Sequence, residues 1–345
     1  MIIVIFAGGQ GTRLWPLSQP NYPKHLLNLV DNNSLIQNTY KRASTLTKDI
    51  YIVTEKSHAN EIKKQLPTLP ASHILIEPGR RGTASCILLA LSQLSKKHNP
   101  NEVIIFLHAD HHITDNKSFK ESVKAAVLAS QELQKIALIG LQPDYPSTGF
   151  GYIKLGKEAV SEHGRPAYFV EKFVEKPDLP TAKKYVKSKQ YLWNLGLFAA
   201  PIEVFLSSFK YFAPNLYRIY GSLAGQKSKA TLHKLYLGLA NEAIDTALIE
   251  KLDKPLVVPG TFDWTDIGSF NDLHELLKNG GSNVVRGQVC QKDCSDSLVI
   301  AGDKPIMALG LDEMVVIDSP HGVLVCPKSK SQLVKEGVEL LNDLK

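Results

Sequence analysis

The chain has 345 residues, 43% of them hydrophobic and 21% charged, which is enough apolar material for a large core and too much for a disordered chain. Its formal net charge of +6 comes without a long basic block, which disfavours a duplex-DNA binder and suits small phosphorylated ligands. The first apolar run, residues 2–7, is too short to cross a bilayer and no basic leader precedes it, so a cytoplasmic protein without membrane or nucleic-acid partners is expected.

Apolar runs of strand length stand at 2–7, 50–54, 73–76, 103–108 and 136–141, separated by helix-length stretches such as 83–97 and 119–133. They are continuous rather than alternating, as expected for parallel strands covered on both faces. From 145 to about 201 the pattern changes to short strands, 151–155 and 167–174, among Pro and Gly. These are expected as excursions from the main sheet. A Tyr-rich helical region to about 252, a strand at 255–259 and a loop over 263–270 follow. Beyond 283, short runs at 298–301, 306–309, 314–317 and 323–326 predict a small β unit. Leu333, Val334, Val338, Leu341 and Leu344 then recur at helical spacing and predict an amphipathic helix docked on the rest of the chain. Cys86, Cys290, Cys294 and Cys326 form no CxxC pair and are expected as reduced structural thiols.

Directly after the first strand comes Phe6-Ala7-Gly8-Gly9-Gln10-Gly11-Thr12-Arg13-Leu14-Trp15-Pro16-Leu17-Ser18. Glycines there let backbone N–H groups approach phosphate oxygens, and the Arg13 fork matches those oxygens in a way that a mere turn does not require. The run is not a P-loop, because GxxxxGK[ST] is absent, and Leu14 takes the place of the third glycine of the dinucleotide fingerprint. Lys24, in Pro23-Lys24-His25, is close enough in sequence to return to this loop, or is a solvated surface lysine. Asp110 follows the run 103–107, at the carboxyl end of a predicted parallel strand, where open α/β sheets place ligands. A helix cap is the alternative there. Neighbouring His108, His111 and His112 invite a zinc site, but no second His/Asp group of suitable spacing completes one, and they are expected to position Asp110 or face solvent. Asp263 and Asp266 are nearly equal candidates by spacing.

The run from Phe6 to Ser18 followed by Pro23-Lys24-His25 resembles the signature of the sugar-nucleotide pyrophosphorylases, and within them the mannose-1-phosphate guanylyltransferase family. Trp15, Ser18 and His25 favour that branch over the thymidylyl- and uridylyltransferases. Further blocks agree in the same order: Glu77-Pro78, Arg81-Gly82-Thr83-Ala84, Ala109-Asp110-His111, Thr148-Gly149-Phe150-Gly151, Phe173-Val174-Glu175-Lys176-Pro177, Trp193-Asn194 with Gly196, and Trp264-Thr265-Asp266-Ile267-Gly268.

The resemblance implies an α/β fold: a Rossmann-like nucleotidyltransferase core with a mostly parallel mixed sheet over 1–282, then a β-helix-like segment and helix over 283–345. It implies transfer of GMP from GTP to α-D-mannose 1-phosphate, giving GDP-mannose and pyrophosphate, and a homodimer. Some relatives carry a further isomerase domain; this chain ends before one, so isomerase activity is not expected. A sugar phosphate loses its second proton near pH ~6, so the nucleophile is already ionised and needs no dedicated base. What the reaction needs is neutralisation of repelling phosphates. The resemblance assigns Mg²⁺ to Asp110 and Asp266, selecting Asp266 over Asp263, and phosphate stabilisation to Arg13, Lys24 and Lys176. It places the nucleotide on Ala7, Gly8, Gly9, Gly11, Thr12 and Arg13 with Arg81, Thr83 and Ala84, although Glu77 and Arg81 can instead shape that loop. It places the sugar on Gly149, Gly151, Glu175 and Asn194. Asp245 either supports them or is an exposed helical aspartate, and Glu175 with Lys176 can be a plain surface ion pair. A glycosyltransferase shares such carboxylates but commonly uses a DxD element, which Asp110 lacks. A non-catalytic sensor on the same fold predicts loss of Arg13, Lys24, Asp110 and Asp266, all of which are present.

Overall fold

The computed structural model describes residues 1–160, 165–225, 228–278 and 280–343. Nine strands form one sheet: β1 (Ile2–Ala7), β2 (Ile50–Glu55), β3 (Ile74–Glu77), β4 (Val103–His108), β5 (Ala137–Leu141), β6 (Gly151–Val160), β7 (Ala167–Val174), β8 (Tyr191–Pro201) and β9 (Leu256–Gly260). Their order is β3-β2-β1-β4-β8-β5-β9-β7-β6. Strands β1 to β4 pair in parallel, as do β5 and β9, whereas β8 runs antiparallel between β4 and β5.

The continuous apolar runs have a direct cause. Along β1, Ile2, Val4 and Phe6 enter one core while Ile3, Ile5 and Ala7 enter the other, so neither parity is left for solvent. The first core is covered by helices Gly82–Leu94, Ile202–Phe212 and Pro214–Gly225, the second by Leu35–Ser44, Lys56–Gln65 and Asn116–Leu133.

The expected excursions over 151–155 and 167–174 are instead strands of the main sheet. β6 pairs with both β7 and β8, and β7 reaches β9. The misreading traces to β8, whose apolar run is broken by Asn194 and Gly196 and so lacks a plain strand pattern, although it is buried over most of its length. β8 gives β6 a second tie to the sheet beside β7.

Beyond it lie β10 (Val284–Arg286), β11 (Val289–Lys292), β12 (Leu298–Ile300), β13 (Ile306–Leu309), β14 (Met314–Ser319) and β15 (Gly322–Pro327). β10, β12 and β14 stack in parallel, as do β11 and β13, in the manner of a short β-helix, and β15 closes it as an antiparallel hairpin with β14. Sequence reading omits β10 and β11, which are three and four residues long and offer little apolar signal. This unit shares a core with the rest of the chain: Leu298, Val315 and Ile317 pack with Leu14, Leu29 and Leu35 from the chain's start and with Ile267, Phe270 and Leu273. The final helix, Val334–Asp343, docks on the turn Thr12–Leu14. Val334 is its buried anchor; Leu333 is exposed in the preceding 3-10 turn, and Leu344 lies outside the described residues. Among the described residues no helix is long and apolar enough to cross a membrane, and the four cysteines are free.

Candidate active site

β1 lies between β2 and β4, so the glycine loop that follows it opens at the carboxyl edge of the parallel sheet. Gly11 has φ 62°, and a Cβ there would lie 2.5 Å from the Cβ of Lys24. Only glycine permits both the left-handed turn and this approach. The loop is closed by the Ser18 hydroxyl, which donates to the Gly11 carbonyl at 2.6 Å. Gly8 stands over a buried Glu77 carboxylate, whose other oxygen accepts from the Tyr236 hydroxyl at 2.8 Å. Burial raises the Glu77 pKa, and the Tyr236 hydrogen bond opposes the shift.

Lys24 is therefore no surface lysine. Only 6% exposed, its ammonium sits 3.0 Å from Asp110 Oδ2 and 2.9 Å from Asp266 Oδ1, and it also donates to the Asp266 carbonyl. Two backbone devices bring these carboxylates together. Ala109 N donates to Phe6 O, fixing the turn after β4 against the end of β1. His112 and Thr265 exchange N–H···O bonds of 2.9 and 3.0 Å, drawing the loop after β9 onto the Asp110 segment. Burial alone would pull the Lys24 ammonium down, but Asp110 and Asp266 overcome it and hold its pKa above the ordinary value. Burial likewise pushes Asp110 up, and the Lys24 charge, helped by His111 and His108, holds it below the usual carboxylate range.

Asp263 is committed elsewhere. It accepts from Thr114 N, Thr114 Oγ1 and Asp115 N at the start of helix Asn116–Leu133. Trp264 packs on His111 and Phe150, with ring centroids 5.3 and 5.1 Å away. The histidines flank Asp110: candidate ligand atoms of His108, Asp110 and His111 all lie within 4.8 Å of one another, and among the described residues no His, Cys, Asp or Glu from another part of the chain joins that group. Burial keeps the His111 pKa well below its ordinary value.

A second cluster adjoins the first through His108, whose ring occupies the space that a side chain at Gly196 would need. In β8, Asn194 donates from Nδ2 to Asp245 Oδ1 at 2.6 Å, and its Oδ1 accepts from Gly196 N. Asp245 is thus a half-buried partner of Asn194 rather than an exposed helical aspartate, and burial and nearby Glu175 raise its pKa. Gly151 pairs with Asn194 in register, and a Cβ there would lie 2.5 Å from Glu175 Oε2. That oxygen is buried without a partner among the described residues, whereas Oε1 meets Lys176 Nζ at 2.8 Å. The ion pair read from the sequence exists, but one carboxylate oxygen faces inward as an unused acceptor and Lys176 is exposed. Gly149 lies in an exposed loop, its N–H bonded to Ser147 Oγ at 3.1 Å.

The block from Arg81 to Ala84 opens helix Gly82–Leu94 and is largely engaged by the fold. Arg81 Nε donates to Leu237 O, Thr83 Oγ1 accepts from Ile244 N, and the buried Ala84 donates its N–H to Glu242 O. Arg13 is exposed, and its Nη1 donates to Gln332 Oε1 at 2.8 Å. Sequence reading does not single out Gln332, which has no motif around it. The separation of His25 from solvent is equally unannounced: it is buried beside Lys24, and burial pushes its pKa down to about 3.

A glycine loop, a buried lysine and two carboxylates converging on it, at the edge of a mixed sheet, make a site suited to nucleotidyl transfer. Residues 2–281 match the nucleotidyl transferase model, and 287–341 match that of the MannoseP isomerase/GMP-like beta-helix domain. The chain is 33% identical to mannose-1-phosphate guanylyltransferase 2 of Escherichia coli O157:H7, over 99% of its own length and 73% of that protein's. It is 32% identical to the mannose-1-phosphate guanylyltransferase RfbM of Salmonella typhimurium strain LT2, over 98% and 72% of the two chains. A crystal structure from Thermus thermophilus, described as a mannose-1-phosphate geranyltransferase, superposes with a TM-score of 0.88 at 30% identity over 99% of each chain. The chain belongs to the nucleotidyl transferases and, within them, to the mannose-1-phosphate guanylyltransferase family.

Proposed function

We propose that the protein transfers GMP from GTP to α-D-mannose 1-phosphate, forming GDP-mannose and pyrophosphate. The observation that carries this reading is the meeting of Lys24, Asp110 and Asp266 beside the glycine loop. The sugar phosphate brings its own ionised oxygen, so the reaction asks the protein for charge neutralisation rather than for a base. Backbone N–H groups from Gly8 to Thr12 suit the triphosphate, with the Arg13 and Lys24 cations beside it. The unpartnered inward oxygen of Glu175 and the Asn194 amide suit sugar hydroxyls, and the exposed Lys176 ammonium suits the sugar's phosphate. Near Arg81, Thr83 and Ala84, base recognition falls to the backbone, to the Thr83 proton and to the outer edge of the Arg81 guanidinium, since Arg81 Nε and Nη1 donate to Leu237 O and Arg80 O and Thr83 Oγ1 accepts from Ile244 N.

The donor set fits Mg²⁺. Asp110 Oδ2 and Asp266 Oδ1 already converge on one cationic centre, Lys24 Nζ, and both are hard oxygen donors. Held by these two carboxylates, the ion would supply further neutralisation and alignment of phosphate oxygens. Lys24 keeps its proton throughout and acts as a fixed positive charge.

A cytoplasmic homodimer completes the reading. Met307, Leu309, Val323 and Val325, exposed on the C-terminal β unit, support association there, which light scattering tests. For the activity, purified protein is given each of the four nucleoside triphosphates against several hexose 1-phosphates with Mg²⁺, and pyrophosphate and nucleotide sugar are measured. GTP with mannose 1-phosphate is expected to lead, and chelation to abolish turnover. Another pair preferred by about tenfold or more, or full activity in excess chelator, rejects the corresponding part of the proposal.

A further inference from the structure

Arg13 is the cation within the glycine loop, and its backbone is fixed by that loop: Leu14 N donates to Gly11 O at 2.9 Å, and Leu14 is buried in the third core. Its side chain is fixed from elsewhere. The guanidinium reaches the 3-10 turn Lys328–Leu333, where Gln332 Oε1 accepts from Nη1. Gly268, two residues past Asp266, also stands near it: a Cβ there would lie 3.6 Å from the same Nη1. The turn that carries Gln332 is well anchored. Buried Lys328 pairs with Asp296 Oδ2 at 2.5 Å and Glu275 Oε1 at 3.4 Å, and Ser331 is 1% exposed.

The partner of Arg13 is a neutral one. Among the described residues Arg13 enters no ion pair, and Asp272, close to Gly268, already accepts from the Ser269 hydroxyl at 2.9 Å. An amide oxygen can orient a guanidinium without cancelling its charge, whereas a carboxylate would form a charged fork that competes with phosphate. We infer that Gln332 is a positioning residue for Arg13, so that the C-terminal unit aims the phosphate-binding guanidinium of the nucleotidyltransferase core while leaving its charge available. The inference rests on the phosphate role proposed above for Arg13.

The test compares Gln332→Ala, Gln332→Glu, Arg13→Ala and the double Arg13→Ala/Gln332→Ala variant in the full chain. It reads KM for GTP, kcat, KM for pyrophosphate in the reverse direction, and thermal midpoint. Gln332→Ala is expected to raise both KM values about three- to tenfold with a smaller change in kcat. Gln332→Glu is expected to raise them further, although it still holds the side chain, and the thermal midpoints are expected to stay together because the site is exposed. In the Arg13→Ala background the Gln332→Ala penalty disappears. The inference is overturned if both Gln332 variants keep wild-type KM values while Arg13→Ala is impaired, or if the Gln332→Ala penalty persists in full without Arg13. Wild-type kinetics for Arg13→Ala would instead overturn the phosphate role and the inference with it.

Discussion

Asp110 and Asp266 share one ammonium. They come from segments distant in the chain, yet each places an oxygen within 3.0 Å of Lys24 Nζ. Two carboxylates this close would repel if left alone, and the buried cation between them offsets that repulsion. The exchange of backbone hydrogen bonds between His112 and Thr265 keeps the two segments in register.

Replacing that cation exposes the repulsion. Lys24→Met is expected to lower kcat by at least about tenfold, through lost transition-state neutralisation, and to raise the Asp110 pKa toward or above the ordinary range. Pyrophosphate release and carbon-detected NMR titration of the aspartates check the two parts. An unchanged rate removes Lys24 from the reaction.

The two acids of the loop after β9 are expected to separate cleanly. Asp266→Asn should abolish most turnover with little loss of stability. Asp263→Ala should do the reverse, costing about 1 kcal/mol in urea unfolding through the lost bonds to Thr114 and Asp115. Equal loss of activity in both variants contradicts the division.

For the sugar cluster, Gly151→Ala sets a methyl against Glu175 Oε2 and Asn194→Ala frees Asp245. Each is expected to raise KM for mannose 1-phosphate about tenfold while leaving KM for GTP within about twofold. A change confined to GTP would move this cluster to the nucleotide.

His25 predicts an acid dependence of stability. Its pKa falls from 6.5 to about 3 in the folded protein, chiefly by burial, with Asp110 opposing and His58 and Lys24 adding. The unfolded chain therefore binds the extra proton first as pH drops. The contribution is complete above about pH 6.5 and is lost toward pH 3, at most about 1.4 kcal/mol per pH unit. In His25→Gln the urea midpoint should decline less steeply across that window. Parallel slopes for the two proteins dismiss His25 as a source of acid lability.

Much of this is legible in the sequence because the signals are local. Strands β1, β2 and β4 of the parallel half announce themselves as unbroken apolar runs, since both parities are buried, and the glycine loop is contiguous with its arginine. The obscure parts depend on partners distant in sequence. β8 hides its strand character behind Asn194 and Gly196, polar and small residues placed by the site rather than by the sheet. Asp263 and Asp266 look alike until Thr114 claims one and Lys24 the other. Nothing around Thr83 in the sequence reveals that its hydroxyl oxygen accepts from the distant Ile244 N. Gln332 carries no pattern at all, because a single amide reaching a distant arginine leaves no periodicity.

The core shared by Leu14, Phe270 and Val315 has a consequence for how this enzyme can change. Removing the terminal coil would strip the oily backing from the very turn that presents Arg13, so shortening the gene there would not yield a leaner catalyst. Any transplant of that coil between relatives must carry matching shapes on both sides of the seam.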